Sequence, residues 1–397
     1  LTMDLSAIQS ALKAAGLDGW LFYDFHNRDQ IAARILSMDT HRFASRRWFY
    51  YIPAQGEAQK LVHRIEPWRC DHLPGVKHIY LPWQELHRLL KTILGPAKQI
   101  AMQYSPLNAV PPVSIVDAGT VELIRSFGVK VVSSADLVGR FESHLSSADW
   151  ESHQKAGRLM QMVKDEAFKE ISRRIKAGDA PREIEIQRFM QDLMKRNNLI
   201  AEDGPVVAVN EHAADPHFEP TESNSLKMKK GDLVLLDLWA KQQAPGSIYY
   251  DITWMGYIGE TVPDEHESIF QIIRRGRDAA LQCVQEHFRN HQALHGWEVD
   301  EVCRKVIAEA GYGDYFTHRT GHNIGEQVHG NGVNIDNLET KDERLILAGT
   351  CFSVEPGIYL PDEKRGYRTE IDVFVTEEGD IDVTGAIQEK IVPILTL

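Results

Sequence analysis

Apolar positions recur along this chain at two different spacings, and the change from one to the other divides it. Over residues 1–145, short helix and strand signals alternate. "SAIQSALKAAG" has helical spacing closed by Gly16, and "GWLFYD" reads as a short strand. "RRWFYYIPAQGEAQKLVHRI" predicts strand, turn and strand, with further strands in "KQIAMQY" and "VKVVSS". This is the pattern of an α/β domain with almost no candidate chemistry. Near Ser146 the period lengthens. "SSADWE" is a helix start, and Leu159, Val163, Ala167, Ile171 and Ile175 follow at four-residue spacing until Gly178 ends the run. Residues 146–397 are expected to form a second, α+β domain.

The second domain repeats its own pattern at an offset of about 115 residues. "PREIEIQRFMQDLM" matches "GWEVDEVCRKVIAEAG", with Glu183 against Glu298. Asn210 and His217 match His322 and His329, both at a difference of 112. "GDLVLLD" matches "GTCFSVE", which sets Asp237 against Glu355, and Asp251 answers to Glu370 in the strands that follow.

Each copy contains two apolar runs with an acid in the middle. "LVLLDLWA" and "IYYDITWMGYIG" are joined by a turn, as are "CFSVEPGIYL" and "YRTEIDVFVT". On antiparallel neighbours, opposite residues share a face about 5 Å apart, so Asp237 can face Asp251, and Glu355 can face Glu370. Anions in apolar strands repel one another and lose solvation unless a cation sits between them. A lone strand acid is usually a solvated edge residue, but four at matched positions are not explained that way. With one histidine from the glycine-rich "RTGHNIGEQVH", the cluster suits Mn²⁺, Co²⁺ or Fe²⁺, with Zn²⁺ as an alternative. Four acids exceed the usual need of one ion, so two ions about 3.5 Å apart fit better. Asp372, two residues past Glu370, is expected to be an exposed acid rather than a supporting one.

Composition narrows the field. A length of 397 residues fits about two domains. The formal net charge of −13, without blocks of like charge, argues against nucleic acid as a partner. No run of about 18 apolar residues predicts a membrane span. The first residues lack the charge and apolar core of a signal segment, so a cytoplasmic protein is expected. The four cysteines, Cys70, Cys283, Cys303 and Cys351, form no CxxC pair and read as reduced thiols. Trp20, Trp48, Trp68 and Trp83 are expected mostly in the first domain's core.

The motifs "LLDLW", "YYDIT", "HRTGHNIGEQVH", "FSVEPGIYL" and "YRTEIDVFVT", in this order, resemble the pita-bread metallopeptidases, in particular the Xaa-Pro dipeptidases (prolidases) and aminopeptidases P. The resemblance covers the whole chain. It implies a creatinase-type N-terminal domain over 1–145 and a pita-bread domain with an internal pseudo-two-fold repeat over 146–397. It implies two divalent ions, with Mn²⁺ favoured, held by Asp237, Asp251, His322, Glu355 and Glu370. Glu355 is similar to the family's proton-transferring base. His329 and His217 match histidines that contact substrate and oxyanion, and His318 matches a further active-site histidine. Arg368 resembles an arginine near the substrate. The implied reaction is hydrolysis of the bond before proline in small peptides, of dipeptides before longer ones, by a homodimer.

Aminopeptidase P activity on longer peptides is the alternative, and a non-catalytic scaffold binding a protein partner is the competitor from another class. Retention of all five ligands speaks against the scaffold and against creatinase-like members. The N-terminal domain speaks against methionyl aminopeptidases. Trp254 and Gly330 stand where relatives have an arginine and an acid, and Glu211 and His212 add charge to "NEHAAD". A dipeptidase also needs a cation for the substrate's carboxylate, for which Lys341 and Arg344 are weak candidates.

Overall fold

The strand signals of the first part pair into one six-stranded mixed sheet. Its strands are β1 (Gly19–Asp24), β2 (Trp48–Pro53), β3 (Gln59–His63), β4 (Val76–Tyr80), β5 (Gln99–Met102) and β6 (Lys130–Ser133), in the order β4-β3-β2-β1-β5-β6. Residues 3–397 are described in this computed structural model, and the chain divides into two units, one ending at Glu142 and one starting at Ser143. Strand alternation sends Trp20, Phe22, Tyr50 and Ile52 into one core and Leu21, Tyr23, Phe49 and Tyr51 into another. Helices α1 (Leu5–Ala14) and α2 (Gln30–Ile35) pack on the first face. Helices α3 (Trp83–Leu94) and α4 (Ala118–Ser126) pack on the second, and α5 (Ala135–Glu142) returns to the first. Trp20 and Trp48 are core residues, as expected. Trp68 is half-buried beneath the Arg42 guanidinium, 3.4 Å from its ring. Trp83 departs from the expectation: it opens α3 on the surface, 60% exposed.

The second unit opens with α6 (Ser147–Lys176). Ser146 and Asp149 cap it reciprocally, through Ser146 N–H to the Asp149 carboxylate (2.8 Å) and Asp149 N–H to Ser146 Oγ (3.3 Å). Next come α7 (Glu183–Arg196), β7 (Leu199–Ile200), β8 (Val206–Val209), β9 (Leu233–Gln242) and β10 (Tyr250–Tyr257). The second copy supplies α8 (Asp264–Arg289), α9 (Gly296–Glu309), β11 (Asn323–Ile324), β12 (Cys351–Val354), β13 (Gly357–Leu360), β14 (Arg365–Arg368), β15 (Ile371–Val375) and β16 (Ile381–Val383), before a final β17 (Val392–Pro393). β9 sorts its side chains by parity. Val234, Leu236 and Leu238 pack with α6 and α7, while Leu233 and Leu235 join the core built on α8 and α9. The two hairpin systems meet where Glu370 N–H donates to Thr253 O at 3.2 Å. The architecture is the expected pair: an α/β creatinase-like unit, and an α+β pita-bread unit with an internal repeat.

The repeat is real, but two of its sequence matches shift. Glu183 corresponds in role to Asp300, not to Glu298. Each is a fully buried carboxylate on the second helix of its copy that accepts two backbone N–H groups from segments outside that helix. Glu183 takes those of Val209 (2.8 Å) and Leu226 (2.7 Å), and Asp300 takes those of Thr320 (2.9 Å) and Asn337 (2.9 Å). Glu298 instead caps the start of α9 at His295 N–H, as Glu185 caps α7 at Arg182 N–H. Asn210 is likewise not the counterpart of His322. Asn210 N–H bonds Leu233 O, four residues before Asp237, whereas His322 O receives Ser353 N–H, two residues before Glu355. Loops of unequal length broke an alignment that only strand pairing could settle.

Asp300 fixes the segment that carries His318 and His322, and Arg304 completes the anchor by bonding its carboxylate at 3.0 Å and the carbonyls of Phe316 and His318. Asp300→Ala would leave two buried N–H groups without partners, at about 1–3 kcal/mol each. Urea denaturation is expected to show a loss of about 2–4 kcal/mol. A midpoint within about 0.5 kcal/mol of the parent would mean that the anchor is not needed.

Candidate metal centre

Asp237 and Asp251 lie on the side of β9 and β10 that faces the second copy. Strand register pairs Asp237 with Thr253, and Asp251 with Trp239. The two acids are therefore diagonal neighbours on one face, not directly opposite as the sequence spacing suggested. In the second copy β12 and β15 pair Val354 with Ile371, which brings Glu355 and Glu370 opposite each other just beyond the strand ends. Pro356 follows Glu355 and breaks the strand, and β13 and β14 then form a separate hairpin.

The four acids do not meet on equal terms. Single ligand atoms of Asp251, His322 and Glu370, all three buried, lie within 4.8 Å of one another. His322 Nε2 is 3.7 Å from Asp251 Oδ2 and 3.5 Å from Glu355 Oε1, so Glu355 joins this group. Asp237 stands at its edge, where its Oδ2 accepts Arg368 Nη2 at 2.5 Å. Thr253 Oγ1 donates to Glu370 Oε2 at 2.9 Å. Asp251 Oδ1 is buried with no hydrogen-bond partner.

Burial sets the electrostatics. It raises the pKa values of Asp251 and Glu370 well above the usual carboxylate range, and the neighbouring carboxylates of Asp237 and Glu355 add to the effect. Burial also lifts Glu355 to about 7, against the pull of Arg368. It pushes His322 well below its ordinary value, which leaves the neutral imidazole that binds metals. Each desolvated carboxylate costs several kcal/mol unless a charge of opposite sign compensates it. Among the described residues, Arg368 forms an ion pair with Asp237 alone. The orphaned Asp251 oxygen, the mutual repulsion and the oxygen-rich donor set with one imidazole all fit a divalent cation, and these residues could hold one.

Asp372 is fully buried, contrary to the expectation of an exposed acid. Its Oδ2 accepts Asp251 N–H at 2.8 Å and lies 3.8 Å from His153 Nε2. His153, on the apolar face of α6, donates from Nδ1 to Tyr249 O at 2.6 Å and stacks on Trp150. This pair fixes the backbone of a candidate ligand from behind.

The histidines expected in the site divide by burial. The rings of His322 and His329 are 4.2 Å apart. His329 and His217 are exposed on the lining of a cavity of about 390 Å³, together with Asp237, Asp251, His322, Glu355, Arg368 and Glu370. His318 lines the same cavity, but both its nitrogens are engaged. Nδ1 faces Arg319 O at 2.7 Å and must donate, so Nε2 accepts the Tyr359 hydroxyl at 2.8 Å. Tyr359 in turn accepts Arg368 Nη1 at 2.8 Å. Arg368, 5% exposed, also donates to Thr253 Oγ1 at 3.0 Å. One connected wall thus runs from the Arg319 carbonyl to the Asp237 carboxylate.

The departures from the family pattern have local explanations. Trp254 packs beneath Lys164, whose Nζ is 3.5 Å from its ring. A side chain at Gly330 would begin 2.2 Å from Asn323 Oδ1. His212 bonds the buried Glu183 carboxylate at 2.9 Å and stacks on Phe218, while Glu211 pairs with Lys364. Neither weak candidate for a carboxylate clamp lies in the cavity: Arg344 is buried against Asp342 and Asn331 O, and Lys341 lies over Trp297. Sequence reasoning missed Asp300, His153 and Tyr359. Asp300 had a signal, since it is the one charged residue on the otherwise apolar buried face of α9.

Known proteins agree with this picture. The sequence model of Metallopeptidase family M24 matches residues 151–377, more than half of the chain. "Probable dipeptidase PepE" of Mycobacterium tuberculosis is 27% identical over 338 residues, covering 85% of this chain and 79% of its own. "Xaa-Pro dipeptidase" of Lactobacillus helveticus is 30% identical over 231 residues, 58% of each chain. The crystal structure of dipeptidase PepE from Mycobacterium ulcerans superposes with a TM-score of 0.68 at 24% identity, over 98% of this chain and 96% of that one. With its matched segment holding the acids and the histidine of the buried cluster, this chain belongs to metallopeptidase family M24.

Proposed function

We propose that the protein is an Xaa-Pro dipeptidase, which hydrolyses the bond before proline in a dipeptide with the help of two divalent ions, Mn²⁺ by preference. The observation that carries the reading is the convergence of Asp251, His322, Glu355 and Glu370 on a cavity of about 390 Å³, a volume in the usual range for a small ligand. The relatives named as dipeptidases support it. Asp237, Asp251, His322, Glu355 and Glu370 would hold the ions. When bound, the ions would polarise the scissile carbonyl and bring the pKa of a water near neutrality.

The protein's own groups would do the rest. Glu355 would take the proton of the attacking water and pass it to the proline nitrogen as the carbon–nitrogen bond breaks. That nitrogen has no hydrogen in the intact bond, so it must gain one to leave as an amine. His217 and His329 would donate to the oxyanion from the cavity rim. His318, with both nitrogens engaged, would position Tyr359 and Arg368, and Arg368 would orient Asp237. The same reading carries a homodimer in the cytoplasm. Four free cysteines agree with a reducing compartment. Among the described residues no helix is long and apolar enough to cross a membrane.

Ala-Pro and Ala-Pro-Ala, assayed side by side after stripping and restoring Mn²⁺, test the reading. Proline released from the dipeptide, with the tripeptide inert, is the expected result. A tripeptide cleaved as well or better would make the protein an aminopeptidase P. Glu355→Gln is expected to lower kcat by about 10²–10⁴-fold while circular dichroism shows an unchanged fold. A rate near that of the parent at saturating metal would remove Glu355 from its role.

Metal binding has its own readout. Mn²⁺ at about a thousand times its Kd should stabilise the stripped protein by about 4 kcal/mol, raising Tm. Asp251→Asn should melt no lower than the stripped parent, because it removes a buried like charge, and should not respond to Mn²⁺. A variant that still binds the parent's number of ions would exclude Asp251 as a ligand.

A further inference from the structure

The cavity that holds the metal cluster is anionic. Asp203, Glu219 and Glu339 line it in addition to the four clustered acids. Among the described residues, two permanent cations face it, Arg368 and Arg319. Arg368 is fully engaged by Asp237, Thr253 and Tyr359. Arg319 is half-buried, and among the described residues its guanidinium makes no hydrogen bond or ion pair. Its backbone N–H is the group that faces Glu339 Oε1, at 3.4 Å.

The base of this side chain is fixed while its head is free. The carbonyl before it, that of His318, accepts Arg304 at 2.8 Å. Its own carbonyl accepts His318 Nδ1 at 2.7 Å, and Thr320 after it is tied to Asp300. A free guanidinium on a rigid base is suited to forked recognition of a carboxylate, the pairing in which arginine exceeds lysine. Between acids that repel anions, it is, among the described residues, the place in the cavity where a carboxylate would find an unshared positive charge. A dipeptide carries its free carboxylate one residue from the scissile bond, so a clamp beside the cluster would admit dipeptides and penalise longer chains.

We infer that Arg319 binds the free C-terminal carboxylate of the dipeptide and thereby sets the preference for dipeptides. This rests on the dipeptidase reading above. The test compares Ala-Pro with its amide, Ala-Pro-NH₂, and Ala-Leu with Ala-Leu-NH₂, using the Mn²⁺-loaded parent, Arg319→Met and Arg319→Lys. The parent should prefer the acid to the amide. Arg319→Met should lose roughly 100-fold in kcat/KM on Ala-Pro, mainly through KM, and less than about threefold on the amide, so that the preference collapses. Arg319→Lys, which keeps the charge without the fork, should fall between the two.

Equal losses on acid and amide, or a parent indifferent to the carboxylate, would overturn the inference while leaving the peptidase reading intact. A parent active on Ala-Leu but not on Ala-Pro would overturn the proline specificity alone, and the same acid-to-amide comparison on Ala-Leu would still judge Arg319. A parent inert to all four substrates would overturn both. If Arg319→Met fails to fold, Arg319→Lys decides: an undiminished preference for the acid excludes forked recognition.

Discussion

Everything in the catalytic half follows from one cost, that of placing carboxylates side by side out of water. Burial and the neighbouring carboxylates, Glu355 and Asp237 among them, raise Asp251 and Glu370, and among the described residues no guanidinium pairs with either, because that of Arg368 is committed to Asp237. Such a cluster persists only if the surrounding fold over-determines it. Here it does. Thr253 holds Glu370, Asp372 holds the Asp251 backbone, and Ser353 Oγ receives His322 N–H at 3.0 Å. The strands are apolar on their other face, so no acid can turn away without exposing a core.

The duplicated architecture makes this rigidity affordable in only two helices. Each copy places a buried carboxylate on its second helix and uses it to clasp two backbone N–H groups that lie seventeen residues apart in both copies, Val209 with Leu226 and Thr320 with Asn337. The copies are not exact. The acids of the first hairpin are diagonal and those of the second directly opposite. That difference leaves Asp237 at the edge of the cluster, facing Arg368.

Most of the fold was legible because its signals are local. The apolar runs in "GWLFYD" and "RRWFYYIP" read as strands and are strands, and the helix start read in "SSADWE" is where α6 begins. The candidate site residues were picked out by motif order. All nine of them line the one cavity or its floor. What remained hidden depends on partners far away in sequence. Nothing near Asp372 reveals that Asp251, 121 residues earlier, claims its carboxylate. Nothing near His318 reveals that Tyr359 and an adjacent carbonyl occupy both nitrogens. Trp83 failed for the opposite reason: apolarity alone does not say which residues a surface will leave uncovered.

The wall from the Arg319 carbonyl through His318, Tyr359 and Arg368 has one more property. Burial, helped by Arg368, pushes His318 down to about 3, and burial pushes Tyr359 up to about 12. Across the whole neutral range neither changes its charge, and a guanidinium does not release its proton there. Each hydroxyl and ring hydrogen in the wall has a single seat. The wall is therefore silent toward protons. It gives the cavity shape and charge without storing or lending any, and whatever inflections a pH–rate profile shows between those limits must arise from groups outside it.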